Sequence, residues 1–211
     1  QQVVIAIAIL SMVVGAFAAI AQSNIKRLMA YSSIANMGFA LVGLAAGTVE
    51  GVSAVVVYLT IYLLMTAGAF AVILNMRVND RPVESINDLA GLARTRPLMA
   101  ASMAIFMFSM AGIPPLAGFF AKLVVFQAAV ASGLITLAIL GVLASVVGAF
   151  YYLRIIKVMY FDEPVDHFDQ ALGGELTFVM GATAVVTLLL FVFPSLVFDP
   201  AGVAAASLFA G

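Results

Sequence analysis

Residues 108–122 read Phe108-Ser109-Met110-Ala111-Gly112-Ile113-Pro114-Pro115-Leu116-Ala117-Gly118-Phe119-Phe120-Ala121-Lys122. They lie inside an apolar segment running from Pro97 to about Ser132, in which Lys122 is the one charged residue. As a single straight helix, these ~36 residues would be roughly 54 Å long, against about 30 Å of bilayer hydrocarbon. Two adjacent prolines remove two backbone donors and clash with the preceding turn. Gly112 and Gly118 add backbone freedom on either side. The segment is therefore expected to be two half-helices with an unwound joint between about Ala111 and Ala117. Freed carbonyls at membrane depth are tolerated only inside protein or beside a wet cavity, which places the joint in the interior. Discontinuous helices of this kind mark the transport sites of many carriers.

The rest of the chain agrees with a membrane setting. Of its 211 residues, 65% are hydrophobic and 9% charged, whereas soluble domains carry about 25% charged residues. A span needs about 20 mostly apolar residues, and residues 3–21, 28–46, 52–76, 97–132, 134–159 and 176–198 qualify. In lipid each must be helical, because backbone groups have to be satisfied within the segment. The expected fold is an all-α integral membrane protein of six transmembrane helices, the fourth discontinuous. Residues 160–175 form an acidic loop and the chain ends in a short tail after the sixth span.

Six spans put Lys26, Arg27, Arg77, Arg81, Arg94, Arg96, Arg154 and Lys157 on one side and no Lys or Arg on the other. By the positive-inside rule the basic side is cytoplasmic, so both ends of the chain face outward. Between the third and fourth spans, Ser85-Ile86-Asn87-Asp88 resembles a capping box. Ile86, Leu89 and Leu92/Ala93 recur at helical spacing, which suggests a short interfacial helix; an ordered polar loop is the alternative. In the fifth span, Gly141, Ser145, Gly148 and Tyr152 share one face, a signal for close helix packing.

Net charge is -1, which gives no long-range attraction to nucleic acid. Cysteine is absent and His167 is the only histidine, so cysteine-ligated metals, iron–sulfur clusters and disulfides are excluded from this chain. The sequence begins at Gln1-Gln2 without an initiator Met and reads as a segment starting inside a larger membrane protein.

Lys122 stands about ten residues before the end of its span, roughly 15 Å from the interface and near the midplane. Its side chain is too short to snorkel out from there. Ionisable groups at such depth are generally functional. Burial disfavours charge and a nearby carboxylate favours it, so a small movement could make Lys122 take up or release a proton. No carboxylate lies inside any of these spans, and a counter-ion would have to come from elsewhere. Candidates for a water path are Tyr58, Tyr62 and Thr66, which form one stripe on the third span, with Ser109 before the break and Asn36 in the second span. The alternative for each is local: hydroxyls bonding back to their own helix and tyrosines packing between helices.

Three stretches carry a family resemblance. They are Gln22-Ser23-Asn24-Ile25-Lys26-Arg27-Leu28-Met29-Ala30-Tyr31-Ser32-Ser33-Ile34-Ala35-Asn36-Met37-Gly38, then Ala111 to Lys122, then Tyr151-Tyr152-Leu153-Arg154. Together they resemble the antiporter-like proton-translocating subunits of respiratory complex I, the NADH–quinone oxidoreductase. The Tyr-Tyr-Leu-Arg ending and the lysine at 122 favour the subunit N branch over subunit M, which carries a glutamate there. The resemblance implies that spans one to five are the second of two inverted five-helix repeats and that span six is an added C-terminal helix. It implies that Lys122 is the proton-relay lysine of the broken helix and that Lys26 is the family's cytoplasmic-end lysine, with a structural role. It implies a bacterial inner membrane, with both ends periplasmic and other membrane-arm subunits as partners. Flavin, iron–sulfur clusters and quinone would reside in partner subunits, with no cofactor or metal in this chain. Many relatives carry a histidine where this chain has Asn36, and an amide cannot relay a proton by changing charge. The alternative function is a subunit of a multi-subunit cation/proton antiporter, which shares this ancestry. A purely structural scaffold is a third reading, at odds with a midplane lysine beside a helix break.

Overall fold

The computed structural model describes residues 1–78, 81–164, 169 and 173–209. Helix α1 (Gln2–Ile20) turns at Ala21 into α2 (Ile25–Ala46), whose first turn is capped by the Asn24 side chain accepting from the N–H groups of Lys26 and Arg27. Gly47, at φ +71°, ends α2 in the left-handed conformation, which glycine reaches without a Cβ penalty. Thr48 then caps α3 (Val49–Asn75) by accepting from the N–H of Gly51. The later helices are α4 (Leu92–Thr95), α5 (Pro97–Ala111), α6 (Ala117–Ala131), α7 (Ile135–Phe161), α8 (Gly174–Val192) and α9 (Ser195–Phe209). Among them α1, α2, α3, α7 and α8 are each long and apolar enough to cross a bilayer. The pair α5 and α6, 15 residues each, takes the place of the fourth span.

Small residues set the closest helix approaches. A Cβ on Gly15 would meet the backbone of Tyr31 and Ala35, and one on Gly38 would meet Met12 and the Ala8 carbonyl. Helices α1 and α2 therefore touch backbone to backbone, the packing that small residues allow in membranes, where van der Waals contact drives association. Large apolar side chains point outward along α1, α7 and α8, with Phe17, Val146 and Phe178 well exposed. Such an apolar exterior suits lipid or a neighbouring membrane protein.

Three expectations are corrected. The sixth span is not one helix over residues 176–198 with a tail. It stops at Val192, and a second helix, α9, begins at Ser195. Pro194 cannot donate into the helical ladder, while its carbonyl accepts from Val197 and Phe198 to start α9. Along α3, Thr177 and Met180 lie near Asn75, Thr183 lies over Gly68, and Phe198 and Gly202 lie beside Val49 to Val57. Helices α8 and α9 thus follow α3 end to end as a second interrupted helix.

The interfacial stretch is also less helical than its spacing implies. The capping box forms, with Ser85 N–H donating to Asp88 and Asn87 N–H donating to Ser85 Oγ. Only a 3-10 turn, Asn87–Leu89, follows it. Gly91 at φ +69° then interrupts before the single turn of α4. Ile86, Leu89 and Leu92 are nevertheless fully buried, so their spacing reported an anchored face rather than a continuous helix. A two-stranded ladder, β1 (Arg77–Val78) with β2 (Arg81–Pro82), precedes the turn, an addition to the all-α expectation. In the acidic loop, residues 165–168 and 170–172, with His167 among them, lie outside the described residues.

The third correction concerns the joint of the fourth span. Its helices end and begin within the expected bounds, but Pro114 and Pro115 are exposed on the surface of the chain, while Ala111, Leu116, Ala117 and Gly118 are buried. Prolines present no N–H donor, so the exposed part of the joint leaves only carbonyls to be satisfied.

Candidate functional site

The break is built by three small residues. Gly112 closes α5 at φ +82°, donating to the Ser109 carbonyl while Ile113 donates to that of Phe108, at 2.9 and 3.1 Å. This pair of reversed bonds is a Schellman ending, which needs a left-handed residue. A Cβ at Gly112 would also come within 2.9 Å of Lys122 Cδ. After the cis Pro114-Pro115 bond, α6 restarts directly against α5. The Gly118 N–H donates to Ser109 Oγ at 3.0 Å, and a Cβ on Gly118 would strike the Ser109 carbonyl. One serine on the first half-helix thereby caps the second.

Lys122 sits in the second turn of α6 and is 7% exposed. Its Nζ donates to the Ala111 carbonyl at 3.2 Å and to Ser145 Oγ on α7 at 2.8 Å. It also lies 4.9 Å from the centroid of the Phe39 ring on α2, within cation–π range. Ala111 closes α5, so its carbonyl belongs to the partly negative end of the helix. Among the described residues no carboxylate lies within ion-pair distance of Lys122. The ammonium is held instead by a helix end, a hydroxyl and an aromatic face from three separate elements. A cavity of about 380 Å³ adjoins it, lined by Gly112, Phe119, Lys122, Phe126, Val142 and Ser145 among others.

A second polar cluster centres on Asn36. Its Nδ2 donates to the Ser32 carbonyl at 2.8 Å and to Tyr152 Oη on α7 at 3.1 Å, and its Oδ1 accepts from Tyr58 Oη on α3 at 2.7 Å. A backbone carbonyl can only accept, which fixes which end of the amide faces Ser32. Tyr58 must then donate to Asn36 and Tyr152 must accept from it, while Tyr152 Oη and Ser32 Oγ share a further close hydrogen bond in which either can be the donor. Tyr62 donates to Ser33, at 2.7 Å. The cluster lies one turn along α2 from Phe39, whose ring faces Lys122.

The structure thus gathers the predicted residues into two groups. Lys122, Gly112, Gly118 and Ser109 meet at the break, and Tyr58, Tyr62 and Asn36 meet between α2, α3 and α7. Thr66 joins neither; among the described residues its buried hydroxyl has no hydrogen-bond partner. Lys26 lies elsewhere, at the start of α2, paired with Glu84 at 3.4 Å in an exposed ion pair. Residues that the sequence reading did not single out as polar partners complete both groups: Ser145 for Lys122, and Ser32, Ser33 and Tyr152 for Asn36. Ser145 and Tyr152 stood in the small-residue face of the fifth span, where hydroxyls three or four residues from glycines could have been read as inward-pointing. Arg154, two residues beyond Tyr152, donates to the carbonyls of Ile20 and Gln22, so the Tyr-Tyr-Leu-Arg stretch fastens α7 to α2 and to the end of α1.

Comparison with known proteins gives a consistent result. Residues 1–148 match the family described as NADH:quinone oxidoreductase/Mrp antiporter, TM. NADH-quinone oxidoreductase subunit N of Rhodospirillum rubrum is 62% identical over 208 residues, covering 99% of this chain and 43% of that protein. Subunit N of Parvibaculum lavamentivorans is 63% identical over 195 residues, 92% of this chain and 40% of that protein. The chain therefore spans less than half the length of the curated relatives it matches. Among solved structures, a chain of respiratory complex I from Thermus thermophilus with bound aureothin superposes with a TM-score of 0.83 at 33% identity, over 94% of this chain and 45% of that one. A chain of the Mrp complex from a Dietzia species shares the fold, with a TM-score of 0.87 at 24% identity, over 99% of this chain and 47% of that one.

Proposed function

The chain belongs to the NADH:quinone oxidoreductase/Mrp antiporter family of transmembrane proteins, and from that premise we propose that it is the proton-translocating part of a subunit N in the membrane arm of a bacterial NADH–quinone oxidoreductase. It performs no redox chemistry itself. Flavin, iron–sulfur clusters and quinone belong to partner subunits, and the energy released there is coupled to proton movement through Lys122. Residues 1–159 are the second inverted five-helix repeat, followed by the interrupted C-terminal pair α8 and α9. The basic ends of the spans face the cytoplasm of an inner membrane and both chain ends face the periplasm. Cysteines introduced at Thr48 and at Glu84 should then label from opposite sides of the membrane, with Glu84 cytoplasmic; labelling of both from one side breaks the six-span arrangement.

The observation that carries the proton reading is the seat of Lys122. A buried amine held by the Ala111 carbonyl and Ser145 Oγ, with no carboxylate clamping it among the described residues, can lose or gain a proton without dismantling an ion pair. A lysine at this depth costs about 2.5–3.5 kcal/mol on insertion scales, which an apolar side chain of the same length would avoid. The flanking cavity of about 380 Å³ carries Lys122 and Ser145 on an otherwise apolar wall, so any water it holds is placed at the amine.

Lys122→Met is the test. Met matches the length of the stem and removes the charge. In membranes with matched subunit content, proton translocation and the coupled quinone reductase activity should fall to a small fraction of wild type. Lys122→Arg should also do poorly, because a guanidinium effectively never deprotonates. Unchanged pumping in Lys122→Met would take Lys122 off the proton route. Purification without flavin or iron–sulfur partners would favour the antiporter alternative.

A further inference from the structure

Ser145 has the shorter of the two hydrogen bonds to Lys122 and, unlike Ala111, offers a group that can both accept and donate. Toward an ammonium its oxygen accepts. Toward a neutral amine, rotation about the C–O bond lets its O–H donate to the nitrogen lone pair. The Ala111 carbonyl can only accept, and the face of the Phe39 ring likewise attracts only positive charge. Of the three groups around Nζ, the hydroxyl alone can follow the amine through both of its protonation states.

Its position supports the same role. Ser145 and Lys122 line one cavity, which reaches the outer surface of α7 at Val142 and Val146, side chains that are 48% and 66% exposed. In the Asn36 cluster the Ser32 carbonyl fixes the orientation of the amide, and an amide does not exchange protons by changing charge. Phe39 stands between that cluster and Lys122 on α2. Apart from Lys122 itself, Ser145 supplies the one polar side chain in the described lining of that cavity.

We infer that Ser145 is the proton-exchange partner of Lys122, passing its proton to and from water in the α6–α7 cavity. This rests on the proton-handling reading of Lys122. On release, one N–H bond of the ammonium breaks toward Ser145 Oγ while the Oγ–H bond breaks toward a water oxygen. The nitrogen keeps the electron pair, the water becomes hydronium, and the serine is again a neutral hydroxyl that donates to the amine after rotation. Uptake runs the same steps in reverse, and no charge remains on Ser145 in either direction.

The experiment compares Ser145→Ala, Ser145→Thr, Lys122→Met and the double variant Lys122→Met/Ser145→Ala in the full assembled complex, measuring proton translocation at matched subunit content. Ser145→Ala should slow pumping about 100-fold, the lower end of the range for lost acid–base participation. Ser145→Thr keeps the hydroxyl, and its added methyl has the cavity to occupy, so it should restore most of the rate. The double variant should be no slower than Lys122→Met, because the serine acts through the lysine. Wild-type pumping in Ser145→Ala, with Lys122→Met impaired, overturns this inference and leaves the role of Lys122 standing. Equal loss in Ser145→Thr, or loss of subunit content in both serine variants, overturns it by showing that side-chain fit rather than the hydroxyl matters. Wild-type pumping in Lys122→Met removes the underlying reading, and the inference with it.

Discussion

Two interrupted helices stand among the described residues, and they are unlike in what fills the gap. Between α5 and α6 the chain leaves helical geometry at Gly112 and resumes it at Ala117. Ser109, Lys122 and Ser145 satisfy or exploit the groups exposed there. Between α8 and α9 the gap is Phe193-Pro194, and the Pro194 carbonyl is taken up at once by Val197 and Phe198. Its surroundings are aromatic: Phe120 stacks on Phe191, with ring centroids 5.2 Å apart, and meets Phe198 edge-on at 6.3 Å. Proline explains both interruptions. What separates a candidate site from a bend is whether an ionisable side chain and hydroxyls are brought to the free helix end. Phe120 and Lys122, two residues apart on α6, divide these tasks, one facing each break.

Substitutions at the two breaks can dissolve or sharpen this contrast. The largest effect is expected for Gly118→Ala. The new methyl would strike the backbone carbonyl of Ser109, which cannot rotate away as a side chain would. Overpacking costs about 1–3 kcal/mol, and the two half-helices must separate to relieve it, so both subunit content and pumping per assembled subunit should fall. The matched control is Gly202→Ala in α9, where a Cβ meets nothing within 4 Å; there the expected change is a gain of up to about 1 kcal/mol from helix propensity. Comparable losses in both variants would mean that the two breaks are equally constrained.

Ser109→Ala should come next. It removes the cap on the Gly118 N–H, for about 0.5–2 kcal/mol, read as a lower thermal midpoint of the purified subunit with α6 still helical. An unchanged midpoint would show that water replaces the hydroxyl at the joint. Pro194→Ala should have the smallest effect. Helices α8 and α9 could then join, with a stability change within about 1 kcal/mol of either sign and proton translocation at the wild-type rate. Loss of pumping in Pro194→Ala would make the second break a working part and erase the distinction.

Much of this was legible from residues alone, and the limits follow from what each signal measures. The double proline with its flanking glycines located the first break within a residue or so, because both residue types act on their own backbone. Tyr58, Tyr62 and Asn36 stood out because they are polar in apolar spans, and the structure brings them together with partners. Pro194 was equally visible, yet it sat inside a stretch counted as one span, since hydropathy registers apolarity and not helix continuity. The joint was expected in the interior, but exposure depends on which neighbours cover the prolines. Ser145 looked like a packing residue, because a serine among glycines reads the same whether it faces a helix or an amine.

The sequence by itself determined that the chain is helical, that it is built for a bilayer, and that it places one lysine inside a long apolar segment beside a broken helix. These are consequences of backbone hydrogen bonding in lipid and of local proline and glycine geometry, which need no knowledge of neighbours. Only the tertiary structure decided what that lysine touches. Ala111, Ser145 and Phe39 come from α5, α7 and α2, three separate elements of the chain. Contacts between helices depend on how each helix is rotated and how closely it can approach, and these are set by packing of small and large residues across the whole bundle.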